Sequence, residues 1–266
     1  MQTKKDGVGK TTTALNLGVG LANNGKKVLL IDADPQADLT TCLGWTNQDE
    51  LEKTLATVMN KVITDKPLEK DEAILHHKEG IDLLPSNIDL EAIEMGLGNV
   101  MSREYIMKTY IDQVKSQYDY VIIDCRPSLN MMTLNALASA DSVIIPVQAH
   151  FLSAKGMTQL IQTINKVKVR INPQLKIDGV LLTLADMQTK VAKTTLETLK
   201  NNYGSRLEIY QTIIPQGVKA VEGTMAGKSL YAYDKNSKPA IAYENFCKEV
   251  LKNDKQKVKH EFTQCR

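Results

Sequence analysis

The sequence is poor in residues that link a fold covalently or through metal ions. Its 266 residues include four cysteines, which form neither a C-x-x-C pair nor a cluster with metal-ligand spacing. This pattern argues against a disulfide scaffold and against an iron–sulfur protein with a cluster bridged between subunits. It predicts reduced thiols in a cytoplasmic protein that is long enough to bury a sizeable core.

Long apolar segments are also absent. No run approaches the roughly 20 apolar residues of a membrane-spanning helix, and the polar start at 1–6 does not read as a signal peptide. The net charge is only +2, so the total charge does not indicate a nucleic-acid partner. Any basic binding surface must therefore be local.

A glycine-rich segment near the N-terminus has the composition of a phosphate-binding loop, since residues 5–12 read K-D-G-V-G-K-T-T. Glycines let the backbone curl around an anion so that successive N–H groups point inward. In such a loop Lys10 reaches the β- and γ-phosphates and the Thr11 hydroxyl ligates Mg²⁺, at the start of a helix. The predicted nucleotide-binding residues are Lys5, Gly7, Val8, Gly9, Lys10, Thr11 and Thr12.

This loop resembles the deviant phosphate loop, K-G-G-V-G-K-T, of the ParA/MinD class of ATPases. Asp6 stands where that motif has its first glycine. The resemblance implies ATP as the nucleotide and a sandwich dimer in which Lys5 reaches the phosphates bound to the other subunit. It therefore makes Lys5 and Lys10 catalytic residues. The alternative is a glycine-rich turn with an incidental G-K-T sequence.

Short apolar runs alternate with helical patterns along the chain. Strands are predicted at 28–31, 81–84, 120–123, 143–147, 180–183 and 207–214, and helices at 12–23, 51–62, 88–95, 103–116, 130–140, 154–169, 190–202 and 240–252. The alternation predicts an α/β fold of the phosphate-loop NTPase type, with a mostly parallel twisted sheet and helices on both faces. We expect a single ATPase domain at 1–252 and a basic C-terminal tail at 253–266.

A buried strand normally precedes a phosphate loop, but only the polar-leaning residues 1–4 precede this one. Members of the family that it resembles begin with an apolar strand there. The sequence thus predicts either a truncated first strand or a sheet with a gap.

Two acidic residues follow the predicted strand at 28–31, in the sequence Asp32-Ala-Asp34-Pro-Gln. This segment resembles the D-x-D-P-Q-G segment of ParA proteins. The resemblance implies that Asp34 orients and activates the attacking water and that Asp32 supports a water bound to Mg²⁺. The alternative is an ordinary Asp-Pro turn after a strand.

A third acidic residue, Asp124, ends the apolar strand predicted at 120–123. After a phosphate loop, an apolar strand that ends in a carboxylate is typical of the second metal-binding element of these ATPases. The following C-R-P-S-L resembles the D-x-P-P-S-L motif of the family, with Arg126 in place of the first proline. The predicted metal-binding residues are Thr11, Asp32 and Asp124.

Two later segments also resemble the family. Residues 146–156 resemble its segment after the fifth strand, where His150 stands at the position of a frequent acid. We interpret His150 as a surface or interface residue and not as a catalytic one. Residues 213–219 resemble the loop that packs on adenine. The resemblance implies that Pro215 and Gln216 contact the base through backbone groups.

Lysines cluster late in the chain, and four of them, Lys219, Lys228, Lys235 and Lys238, are candidate DNA-binding residues. Such a stripe gives affinity for DNA that depends on salt and not on sequence. The alternative is a solvated lysine-rich face. The tail after residue 252 has too few apolar residues for a membrane-binding helix of the MinD kind.

The combined resemblance implies a ParA/Soj-type partition ATPase. Such a protein binds ATP and Mg²⁺, dimerises around ATP, binds DNA nonspecifically on the nucleoid, and responds to a ParB-like centromere-binding partner. No membrane association is expected. The alternatives are a MinD-like ATPase that cycles on a membrane and a nucleotide-binding scaffold with little turnover.

Overall fold

The structure is a computed structural model that describes residues 7–69, 71–126, 128, 130–149 and 154–264. Its strands are β1 (Val28–Ala33), β2 (Leu75–His76), β3 (Asp82–Leu84), β4 (Tyr120–Cys125), β5 (Ser142–Gln148), β6 (Lys176–Ala185) and β7 (Ile209–Pro215). Its α-helices are α1 (Lys10–Asn23), α2 (Asp38–Cys42), α3 (Leu55–Ile63), α4 (Asp89–Gly96), α5 (Ile106–Val114), α6 (Met131–Ser139), α7 (Ala154–Arg170), α8 (Lys190–Tyr203), α9 (Val218–Met225), α10 (Leu230–Asp234) and α11 (Lys238–Gln264). This alternation confirms the predicted α/β fold.

The strands form two sheets, one with the order β2-β3-β1-β4 and one with the order β5-β6-β7. Every pairing is parallel except that of β2 with β3. Strand β1 is buried at every position because it has a neighbouring strand on each side. Its apolar run Val-Leu-Leu-Ile is what a strand covered on both faces requires, and full burial of each leucine contributes about 1.5–3 kcal/mol.

The two sheets end in strands that have a partner on one side only. Strand β4 closes the first sheet and β5 opens the second, and neither pairs with a further strand among the described residues. Along β4 only Asp124 is buried, whereas its neighbour β1 is buried throughout. The predicted first strand falls on residues 1–4, which lie outside the described residues, so the choice between a truncated strand and a gap stays a prediction.

One apolar core nevertheless joins the sheets. It contains Leu15 of α1 and Phe246 of α11 together with Leu30 of the first sheet and Leu181 of the second. Helix α1 lies close against β1 because residue 18 is glycine: a Cβ there would lie 2.7 Å from a methyl carbon of Leu30. Separate clusters cover the opposite face of each sheet. The helix that follows the phosphate loop is therefore fixed against both sheets.

Helix α11 differs most from its predicted bounds, since it continues to Gln264 instead of ending near 252. It crosses the expected boundary between domain and tail, and the division at 252 stays a prediction. The sequence patterns also missed the short elements α2, α9, α10 and β2. Helices α2 and α10 have only five residues each, too few to show a clear periodicity. Within the described residues no helix has the length and apolar character needed to cross a bilayer.

Candidate nucleotide site

The predicted phosphate loop leads directly into α1, as its sequence requires. Gly9 caps the helix with φ 76° and ψ 25°, a left-handed conformation that glycine adopts without strain, and its carbonyl accepts from the Thr13 N–H at 2.9 Å. Lys10 is the first helical residue. The N–H groups of the first turn have no partner within the helix, so the loop ends in donors suited to an anion.

The carboxyl ends of β1 and β4 bring together the two aspartates predicted as metal ligands. Parallel pairing of these strands places Asp32 opposite Asp124. Burial raises the pKa of Asp124 to about 6, although the Thr11 hydroxyl and the Lys10 charge act in the opposite direction. Thr11 and Lys10 therefore lie at the same edge as the two carboxylates.

Asp32 is the more deeply buried of the pair, with no exposed surface. Its carboxylate accepts hydrogen bonds from the Thr40 N–H at 2.8 Å, from the Thr40 hydroxyl at 2.7 Å and from the Asp34 N–H at 3.2 Å. Burial and the charge of Asp124 nevertheless raise the pKa of Asp32 to about 7. Because most of its acceptor capacity faces Thr40, Asp32 suits the predicted supporting role better than direct ligation.

The residues at this edge fit a magnesium ion that arrives with a nucleotide. Asp124 and Thr11 offer oxygen ligands, which Mg²⁺ prefers, and this ion commonly uses one or two carboxylates together with waters and substrate phosphates. The described part of the chain contains no group of three or more His, Cys, Asp or Glu residues arranged to hold a metal by themselves. A metal here would therefore need the phosphates as further ligands.

Asp34, the predicted water-orienting residue, follows β1 at the same edge. Its Oδ1 accepts from Arg126 Nε at 2.7 Å and from the Gln36 N–H at 2.9 Å. Arg126 Nη2 also donates to Glu91 Oε1 at 3.1 Å. The sequence patterns did not predict a role for Arg126. Its position in the sequence could have indicated the contact, because Arg126 directly follows β4 as Asp34 directly follows β1.

A cavity of about 1090 Å³ extends from the phosphate loop towards α9 and α11. Five of the predicted nucleotide-binding residues line it: Gly7, Gly9, Thr12, Pro215 and Gln216. Gln148, at the end of β5, also lines it, and the buried Oε1 of its amide has no hydrogen-bond partner among the described residues. The sequence patterns did not predict Gln148 as a cavity residue.

The candidate DNA-binding lysines lie together around α9, α10 and the start of α11. Lys219 pairs with Glu222 at 2.9 Å and lies over the ring of Tyr233. Lys238 lines the cavity and is therefore also placed near the candidate nucleotide site. Three predicted residues, Lys5, Asp6 and His150, lie outside the described residues.

Comparisons with known proteins agree with this fold and this site. A family model described as AAA domain matches residues 1–177. The sporulation initiation inhibitor protein Soj of Bacillus subtilis (strain 168) is 39% identical over 250 residues, which cover 94% of this chain and 96% of Soj. The chromosome partitioning protein ParA of Caulobacter vibrioides (strain NA1000 / CB15N) is 36% identical over 256 residues, with 96% and 93% covered.

A solved structure of cobyrinic acid a,c-diamide synthase from Mycobacterium smegmatis, with bound ADP and magnesium, has a TM-score of 0.80 and 35% identity. The match covers 96% of this chain and 93% of that one. Another structure of that protein holds an ATP analogue and magnesium. Fold and site thus define a protein of the phosphate-loop ATPase class. The chain belongs to the AAA domain family, among the relatives of Soj and ParA, which confirms the resemblance read from its motifs.

Proposed function

We propose that this chain binds ATP with Mg²⁺ and hydrolyses it to ADP and phosphate. The observation that carries the proposal is the arrangement of Asp32, Asp124 and Asp34 at one sheet edge, beside the loop that begins α1. Structures of a relative with 34–35% identity hold ADP or an ATP analogue with magnesium, which supports the same ligands here.

Each residue has a separate part in the proposed reaction. Lys10 balances the charge of the β- and γ-phosphates, and the N–H groups at the start of α1 donate to their oxygens. Thr11 and Asp124 hold Mg²⁺, and Asp32 supports a metal-bound water. The bound ion supplies positive charge to the phosphate oxygens. Asp34 accepts a hydrogen bond from the attacking water and so orients it towards the γ-phosphate.

The cavity beside the loop is the place proposed for the adenosine. Its volume of about 1090 Å³ leaves room for a base and ribose beyond the phosphates. We place the base against the backbone of Pro215 and Gln216, which line the cavity.

The wider role that we propose is DNA partition, which is supported by the similarity to Soj and ParA. Two subunits would enclose ATP, with Lys5 acting across the interface. The ATP-bound homodimer would bind DNA nonspecifically through Lys219, Lys228, Lys235 and Lys238 and remain on the nucleoid in the cytoplasm. A ParB-like partner would stimulate hydrolysis and release the dimer from DNA.

Phosphate release by the parent chain and by Asp34→Ala, each with and without DNA, tests the enzymatic part. We expect Asp34→Ala to bind a fluorescent ATP analogue within about twofold of the parent but to lose at least about a hundredfold in turnover. Turnover of the variant at the parent rate would show that Asp34 does not orient the water. A parent that binds ATP without releasing phosphate would instead support the scaffold alternative.

Co-sedimentation with DNA and, separately, with liposomes tests the cellular part. The partition proposal expects ATP-dependent pelleting with DNA of any sequence and none with liposomes. The opposite result would favour the MinD-like alternative, in which the dimer cycles on a membrane.

A further inference from the structure

We propose that Arg126 is a positioning residue for hydrolysis: it fixes the Asp34 carboxylate through an ion pair, and Glu91 in turn holds Arg126. This inference rests on the proposed function, because it assigns Arg126 a part in the same ATP hydrolysis. The motif that this segment resembles has proline at position 126, so the ion pair belongs to this chain and is not implied by the resemblance.

The pairing of strands within the first sheet brings Asp34 and Arg126 together. Strands β1 and β4 are parallel neighbours, with Asp32 opposite Asp124 and Ala33 opposite Cys125. Continuing that register by one residue places Asp34 opposite Arg126, at the point where both strands end. The strand pairing therefore places the Arg126 guanidinium beside Asp34. The contact does not depend on a flexible surface side chain.

The contact anchors one oxygen of Asp34 and leaves the other for water. Oδ1 receives both Arg126 Nε at 2.7 Å and the Gln36 N–H at 2.9 Å, whereas no described residue donates to Oδ2. The side chains of Asp34 and Arg126 are 18% and 23% exposed, so solvent competes only weakly for the pair. A carboxylate held in this way keeps one rotamer, and its second oxygen can accept from a water.

Glu91 holds the guanidinium from another side. Its Oε1 accepts from Arg126 Nη2 at 3.1 Å, and the residue lies in the first turn of α4. Arg126 thus uses two different nitrogens for two carboxylates, a geometry that a lysine ammonium does not reproduce. Since the Glu91 side chain is 46% exposed, its contribution is orientation of Arg126 more than stability.

The charges around Asp34 favour a positioning role for Arg126. The alternative is that the ion pair holds Asp34 away from the attacking water. Asp32, Asp34 and Asp124 lie close together, and the negative charge of Asp34 contributes to the raised pKa of Asp124. Removing Arg126 would leave the Asp34 carboxylate held only by the Gln36 N–H and repelled by its acidic neighbours. Hydrolysis should then slow down, whereas in the alternative the loss of the ion pair would accelerate it.

Steady-state hydrolysis by the full chain tests the inference, with Arg126→Ala, Arg126→Lys and Glu91→Gln. We expect Arg126→Ala to lower kcat by about tenfold or more while KM and the affinity for an ATP analogue stay within about twofold. The kcat of Arg126→Lys should lie between those of Arg126→Ala and the parent. Glu91→Gln should lower kcat by a smaller factor than Arg126→Ala does. Arg206→Ala is the matched control, because Arg206 is exposed after α8, and it should retain the parent kcat.

The outcomes separate this inference from the proposed function. No phosphate release by the parent chain overturns the proposed function and this inference with it. Parent turnover together with an unchanged or increased kcat in Arg126→Ala overturns the inference alone, and so does a change confined to KM. If Arg126→Ala does not fold, Arg126→Lys and Glu91→Gln decide: parent kcat in both overturns the inference, and a lower kcat at parent KM supports it.

Discussion

The Thr183 hydroxyl donates a hydrogen bond of 2.8 Å to the carbonyl oxygen of Val8. Thr183 belongs to β6 in the second sheet and is only 1% exposed. Helix α1, which follows the loop, contacts β1 and β4 of the first sheet. The phosphate loop is therefore held by both sheets, and this hydroxyl is a direct contact from the second.

Thr183→Val should weaken nucleotide binding because it leaves the Val8 carbonyl without this donor. The shape of the side chain is retained, so the expected loss of stability is about 1 kcal/mol, as for a single hydrogen bond. We expect the Kd of a fluorescent ATP analogue to rise by about threefold to tenfold. Thr183→Ser keeps the hydroxyl and is the control. Equal affinity of the valine and serine variants would show that the bond does not shape the loop.

The sequence predicted those parts of the site that local patterns encode. Gly9 and Lys10 were recognisable because a backbone that curls around an anion favours glycine and a phosphate site requires a cation. Strand β1 was visible as a continuous apolar run, although the strand continues two residues past the predicted end, to Ala33. Each of these features depends on residues that are close together in the chain.

Other parts depend on which strands become neighbours. The Asp34–Arg126 contact joins residues 92 positions apart, and the Thr183–Val8 contact joins residues 175 positions apart. No local pattern specifies either pair, because both follow from the order β1-β4 in one sheet and from the place of β6 in the other. The division of the strands between two sheets is likewise visible only in the folded structure.

The buried aspartates predict an unusual dependence of stability on pH. Burial raises the pKa of Asp32 to about 7 and that of Asp124 to about 6, above the ordinary 3.8 of an aspartate. Between about pH 4 and 7 the folded chain therefore binds more protons at these sites than the unfolded chain, so their contribution to the free energy of unfolding falls as pH rises.

Thermal unfolding without nucleotide, at about pH 5 and about pH 7.5, measures this effect. Asp32→Asn cannot ionise, so the variant should lose less stability than the parent between the two values. Magnesium with an ATP analogue should increase the thermal stability of the parent most strongly at the higher pH, where both carboxylates are charged. An identical pH dependence in parent and Asp32→Asn would contradict the prediction.

The lysine cluster predicts salt-sensitive DNA binding. Lys219→Glu combined with Lys228→Glu should reduce ATP-dependent pelleting with DNA, because reversal at position 219 also removes the cation beside Glu222. Basal phosphate release should remain at the parent rate. Lys115→Glu on a different part of the surface is the control. Binding that survives both the reversals and about 0.5 M salt would exclude this lysine cluster as the DNA site.

The last prediction concerns the N-terminal side of the loop. In the motif that the loop resembles, glycine stands at the position of Asp6, and an apolar strand comes before the loop. A carboxylate about 4 Å from a phosphate charge costs roughly 4 kcal/mol at an effective dielectric near 20, before Mg²⁺ and lysines offset part of it. The described residues also show no strand beyond β4 or before β5, and β4 is only partly buried. We therefore expect the Asp6 carboxylate to weaken ATP affinity and dimerisation.

Two changes should strengthen binding independently. Asp6→Gly removes the charge, and an apolar strand of about five or six residues placed before Lys4 offers parallel pairing to β4 and β5, each of which has one partner strand among the described residues. Titration of a fluorescent ATP analogue into the parent, Asp6→Gly, the extended chain and an extended chain with a polar strand separates the two effects. The apolar extension should raise both affinity and Tm, whereas the polar one should raise neither, because only an apolar strand is stabilised by burial between two sheets. Equal affinities in all four proteins would mean that neither the carboxylate nor the open sheet edges limit nucleotide binding.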